Sequence, residues 1–178
     1  MTHRPRRPHP DPSTAPGELY RHALDLLLAK DIDGWVGLWD EHGVMEFPFA
    51  PEGWPRRLEG RAAVAGYMRG YPDHIDLRAI PYLEITPTAD PRTIVAEMRA
   101  TGRLVATGEP YEMSYIALVT VVGGLITRYR DYWNPLAVPE SARDPRTFAP
   151  TAPPPPLNPA QQPLSRGDLR CPTPARSW

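Results

Sequence analysis

Cysteine is nearly missing from this chain: its 178 residues include one, Cys171, so no intramolecular disulfide can form. No Cys/His cluster has the spacing of metal ligands, and zinc is not expected. Also absent is any apolar run near the roughly 20 residues needed to span a bilayer. Residues 1–16 carry arginines but no apolar segment of the kind a secretory signal needs, so a cytoplasmic protein without a membrane partner is expected. An excess of charge of one sign is absent, with 20 Lys and Arg against 21 Asp and Glu and a net charge of −1. The arginines are scattered, and without a basic stripe nucleic acid is not an expected partner.

Proline is plentiful, and its distribution divides the chain. Sixteen of the 25 prolines lie before residue 17 or after residue 137. Residues 1–16 and 138–178, the latter with Pro153 to Pro156 in succession, read as solvated, disordered tails. One domain is expected over residues 17–137, and a 41% hydrophobic content is enough for its core.

Within that domain, Leu19, Ala23, Leu26 and Leu27 form the stripe of an amphipathic helix. Asp31 and Asp33 offer caps for a short second helix carrying Trp35, Leu38 and Trp39. Residues 43–49 read as a short strand with Met45, Phe47 and Phe49 pointing one way and Glu46 the other, and residues 61–69 as a third helix. Strands follow over residues 77–86, where Pro81 argues against a central place in a sheet, and over residues 93–104, where Ile94, Ala96, Met98 and Ala100 alternate with polar residues. Helices first and a meander of strands after them give an α+β fold, a curved antiparallel sheet whose three N-terminal helices close a cone-shaped cavity.

The last two strands, residues 111–122 and 125–133, flank Gly123-Gly124, a two-residue hairpin signal. A regular ladder from that turn sets Asp131 opposite Ile116. It places Ser114, Ile116, Leu118, Tyr129, Asp131 and Trp133 on one face, and Ala117, Val119, Arg128, Arg130 and Tyr132 on the other. One carboxylate then sits among apolar side chains, where ionisation is disfavoured and a proton can be exchanged near neutral pH. The alternative is a strand-end aspartate paired with a neighbouring arginine.

Three stretches resemble the SnoaL-like, or nuclear-transport-factor-two-like, cone folds: residues 30–39 (the second helix), Glu59-Gly60-Arg61 (the turn into the third) and residues 126–135 (the last strand). The ending Arg130-Asp131-Tyr132-Trp133-Asn134-Pro135 is most similar to the phenazine-biosynthesis A/B proteins, and this resemblance implies a general acid/base role for Asp131. Ala63 and Tyr67 replace the histidine and serine those proteins carry in the third helix. Ala23, Phe47 and Ile116 replace the tyrosine, base and protonated acid of ketosteroid isomerases, so that chemistry is not implied.

Together these readings describe a cofactor-independent isomerase or cyclase acting on a hydrophobic, carbonyl-containing intermediate, planar or polycyclic. Asp131 is its catalytic group, with Phe47, Trp54, Tyr67, Ser114, Ile116, Tyr129 and Trp133 against the substrate. A non-catalytic small-ligand-binding or dimerisation module is the competing reading, because one fold hosts many functions. A homodimer is expected in either case, through Ala117, Val119, Tyr132, Arg128 and Arg130.

Overall fold

A computed structural model of the chain describes residues 16–137. The tail expectations and Cys171 lie outside the described residues. Helix α1 (Pro16–Leu28) starts on proline, whose missing N–H costs nothing in a first turn. Helix α2 (Ile32–Val36) is capped by Asp31, which accepts from the Gly34 N–H at 2.9 Å. Strand β1 (Trp39–Glu46) follows at once, so Trp39, expected on the second helix, begins a strand, and its side chain is wholly buried. After β2 (Arg57–Glu59) come α3 (Arg61–Met68) and a one-turn helix, α4 (Tyr71–His74), a fourth where three were expected.

Four long strands complete the domain: β3 (Ile75–Pro87), β4 (Thr93–Leu104), β5 (Pro110–Val122) and β6 (Leu125–Trp133). The sheet order is β2-β1-β6-β5-β4-β3, antiparallel except where β1 runs parallel to β6. Pro81 sits in the edge strand β3, where its missing N–H breaks no internal ladder. The architecture is α+β, with a curved sheet whose concave face is covered by the helices.

Two irregularities curve the sheet and set its faces. On β3 the register against β4 slips between Leu77 and Ala79, opposite Gly102. A Cβ at Gly102 would lie 2.2 Å from the Asp76 carbonyl oxygen, so the close crossing at this bend requires glycine.

The second irregularity is in the hairpin. Gly123 and Gly124 both have positive φ (59° and 76°), as a type I′ turn requires, and Val122 faces Leu125 as expected. Val121 then pairs with Ile126, but Thr120 pairs with Arg128, which leaves Thr127 as an extra residue, its hydroxyl donating to the Thr120 carbonyl at 3.3 Å. Beyond this bulge Asp131 faces Ala117, not Ile116.

A one-residue slip exchanges the faces of one strand relative to its partner. Met113, Ala117 and Val119 therefore point inward beside Tyr129 and Asp131, whereas Ser114, Ile116 and Leu118 share the outer face with Arg128, Arg130 and Tyr132. Two apolar clusters fill the concave side. One is built on Trp39, Tyr20, Val64 and Ile126 against β4 and β5, and a smaller one on Ile75, Leu104, Tyr111 and Met113.

Gly102→Ala is expected to destabilise the domain by about 1–3 kcal/mol or more, because backbone must shift to admit the methyl group. Gly66→Ala, in α3 with nothing within 4 Å of the added carbon, should instead stabilise by about 0.5–1 kcal/mol. Urea midpoints for the two variants check this, and equal midpoints would contradict it.

Candidate functional site

A cavity of about 120 Å³ lies between the concave face and the helices. Its floor is made by inward residues of β4, β5 and β6, among them Met98, Met113, Tyr129, Asp131 and Trp133. Its walls come from Leu24 and Leu27 of α1, Trp35 of α2, Tyr67 and Met68 of α3 and Tyr71 of α4. Trp54, from the loop after β1, packs on Trp133 at 5.5 Å between ring centres, and Phe47 packs on Tyr67 at 5.2 Å. Asp131 is the one charged side chain lining this space among the described residues.

Strand alternation explains why it has no partner. Arg128 and Arg130 leave β6 on the outer face, where Glu46 accepts from both, at 2.9 and 3.2 Å, and from Arg57 at 2.5 Å. Partial burial alone would raise the Glu46 carboxyl, but the Arg128 hydrogen bond and the charges of Arg128 and Arg57 outweigh it and hold it below the usual range. On the other face Asp131 Oδ1 is fully buried and accepts no hydrogen bond among the described residues. Desolvation pushes this carboxyl up from 3.8 to about 7. The alternative of an exposed aspartate held by a neighbouring arginine does not describe this strand.

Of the residues expected against a substrate, Phe47, Trp54, Tyr67, Tyr129 and Trp133 do line the cavity with Asp131. Ser114 and Ile116 do not. Plain alternation along β5 from the inward Val121 points them outward, while the bulge at Thr127 carries Asp131 to the opposite face, and Ile116, 45% exposed, lines a separate outer groove with Ser114, Tyr82, Arg99 and Tyr132. Phe49 likewise turns outward, onto Tyr132.

Sequence reasoning missed Tyr71, Tyr111 and Tyr115, which line the cavity, and Tyr20 behind them. The row Tyr111, Met113, Tyr115, Ala117, Val119, Val121, apolar or aromatic throughout, was the signal for the inward face of β5; Glu112, Ser114 and Thr120 lie between, but Ile116 and Leu118 interrupt the polar row and blur it. Tyr111 and Tyr115 hydrogen-bond through their hydroxyls, and the Tyr20 hydroxyl lies 3.4 Å from that of Tyr129. Burial raises the pKa of all of these phenols and of Tyr67, and the charge of Asp131 acts in the same direction. They are neutral hydrogen-bond donors near neutral pH. The site thus offers one carboxyl able to hold or release a proton at neutrality and several uncharged donors in water-poor surroundings.

A curved six-stranded sheet whose concave face is covered by helices is the architecture of the cone-fold class of small domains. A SnoaL-like domain model matches residues 20–129. The YesE protein of Bacillus subtilis is 44% identical over 124 residues, covering 70% of this chain and 84% of that protein. A PhzA/B-like protein of Pseudomonas aeruginosa, PA3332, is 38% identical over 119 residues, covering 67% of this chain and 84% of that protein. This chain belongs to the SnoaL-like family, one of the nuclear-transport-factor-two-like cone folds. A solved Bacillus subtilis structure, provisionally assigned as an isomerase, superposes with a TM-score of 0.67 at 44% identity over 68% of this chain and 88% of that one. A Mycobacterium tuberculosis protein crystallised with estradiol-17beta-hemisuccinate shares the fold alone, with a TM-score of 0.58 at 22% identity over 68% of this chain and 95% of that one.

The raised Asp131 pKa has a consequence for stability. Its folded value lies above the unfolded one, so its contribution is complete below about pH 4 and is lost as pH rises through about 7. Glu46 acts with the opposite sign, losing its contribution as pH falls, so the two must be separated by mutation. Asp131→Asn removes the Asp131 part. Relative to wild type the variant should gain about 2–4 kcal/mol between about pH 4 and pH 8. Chemical denaturation across that range measures the difference, and a difference that does not change with pH would contradict it.

Proposed function

We propose that the protein is a cofactor-independent general acid/base enzyme, an isomerase or cyclase, for a hydrophobic carbonyl compound, with Asp131 as its catalytic group. The observation that carries this reading is the unpaired Oδ1 of Asp131 in an apolar cavity, with its pKa brought to about 7. The ionised carboxylate takes a proton from the carbon next to the carbonyl and becomes the neutral acid, and the enolate oxygen that results accepts a hydrogen bond from a neutral tyrosine hydroxyl. The same carboxyl then returns the proton to a different carbon, so that none is gained or lost. Of Ser114 and Tyr129, both expected against the substrate, Tyr129 lines the cavity and can donate; with Ser114 outside it, the Tyr111–Tyr115 pair offers a further hydroxyl.

The cavity favours a smaller substrate than the polycycle first expected. Space of about 150 Å³ admits benzene, so about 120 Å³ accommodates one small ring. The same volume supports a second reading, a non-catalytic binding module for a small hydrophobic molecule. The estradiol-17beta-hemisuccinate in complex with the Mycobacterium tuberculosis protein fits a hydrophobic-ligand role for the fold under both readings.

Exchange of the α-hydrogens of cyclopentanone in D2O, followed by NMR, separates them. Catalysis predicts exchange accelerated by wild type and reduced about 10²- to 10⁴-fold in Asp131→Asn. Exchange in the variant within a few-fold of wild type would leave only the binding module.

The dimer expectation keeps its sheet but changes its residues. Ala117 and Val119 are core residues, so the proposed isologous contact uses the outer groove around Ile116, Tyr82 and Tyr132 with Phe49 at its rim. Light scattering should give twice the chain mass for wild type and the chain mass for Ile116→Arg. A wild-type protein that stays monomeric at high concentration would contradict this.

A further inference from the structure

The cavity contains a polar group that the described residues do not satisfy. Buried carboxylate oxygens almost always accept a hydrogen bond, yet Asp131 Oδ1 accepts none. The arginines adjacent in sequence, Arg128 and Arg130, are turned to the other face and bonded to Glu46. No Lys, Arg or His lines the cavity among the described residues, and the titratable groups that face Asp131 from the packed elements are phenols: Tyr20 (α1), Tyr67 (α3), Tyr71 (α4), Tyr111 and Tyr115 (β5) and Tyr129 (β6). The donor that the side chains do not give Asp131 can come from a water or from an occupant of the cavity.

Two kinds of occupant bring one. A neutral alcohol offers a hydroxyl but leaves the carboxylate charge uncompensated in apolar surroundings, a costly arrangement. An ammonium ion brings both the donor and the opposite charge, and charge-assisted hydrogen bonds are about twice as strong as neutral ones. The walls favour the cation too. Tyr129 and Trp133 flank Asp131 on the same face of β6, Trp54 packs on Trp133, and aromatic faces attract a cation. Among the described residues no positive side chain lines the wall to repel it. The volume, below the about 150 Å³ that admits benzene, limits the occupant to at most about six heavy atoms.

We propose that this cavity binds a small organic ammonium ion, one ring or a branched chain in size, with its nitrogen on Asp131 and its hydrocarbon part against Trp54, Trp133 and Tyr129. Binding of this kind requires no turnover, and it stands whether or not the cavity catalyses proton transfer.

Three probes of one shape test it: cyclopentylamine, which is cationic at neutral pH, cyclopentanol and cyclopentanone. Each is titrated into the full chain at about pH 8, with tryptophan fluorescence as the signal, since Trp35, Trp54 and Trp133 line the cavity. The amine should bind about tenfold tighter than the alcohol or the ketone. Asp131→Asn should lower amine affinity about tenfold while changing alcohol affinity less than about threefold. An alcohol or ketone that binds as tightly as the amine overturns the proposal, as does an absence of saturable amine binding or a variant with undiminished amine affinity. If the variant does not fold, the wild-type ratio of amine to alcohol decides alone. Because the exchange assay for catalysis contains no amine, failure there and failure here are separate results.

Discussion

The bulge at Thr127 is the constraint on which the arrangement of the site depends. Ile126 points into the core and Asp131 points into the cavity, although an odd number of steps along β6 separates them. In an uninterrupted strand such residues face opposite ways. The extra residue reverses the alternation once, so the strand can bury Ile126 at one end and present Tyr129, Asp131 and Trp133 to the same side further on. The neighbouring strand β1 is irregular at the same level, between Trp39 and Val44, which lets the parallel pair pass the bulge together.

The electrostatics follow from that reversal. Three consecutive side chains, Arg128, Tyr129 and Arg130, alternate across the sheet, and the two arginines arrive beside Glu46 on β1 and Arg57 on β2. With those cations engaged on the outer face, the aspartate on the inner one shares its cavity, among the described residues, with phenols, indoles, thioethers and hydrocarbon. A charged group in such surroundings is destabilised relative to its neutral form, and this is the physical source both of the raised pKa and of the demand for a donor.

Much of the fold was legible in the chain: the helical stripe of α1, the Asp31 cap, the Gly123-Gly124 turn and the alternation of β4 all encode structure locally. The end of α2 was not, because tryptophan and leucine suit helix and strand alike, and Trp39 is a strand residue only through its parallel pairing with Ile126. The faces of β5 were misassigned for a non-local reason too. A ladder counted from the turn carries no sign of a bulge, so Ser114 and Ile116 were placed inward and Tyr111 and Tyr115 were lost. Asp131 was legible through the ending it shares with a known family, whereas the tyrosines around it come from four other elements that only the fold brings together.

One measurement reaches the centre of this account: the carboxyl-carbon NMR titration of Asp131 in the intact protein. An inward, unpartnered carboxyl predicts a midpoint near pH 7. A midpoint at or below about 4, the range of a solvated or arginine-paired aspartate, would contradict it.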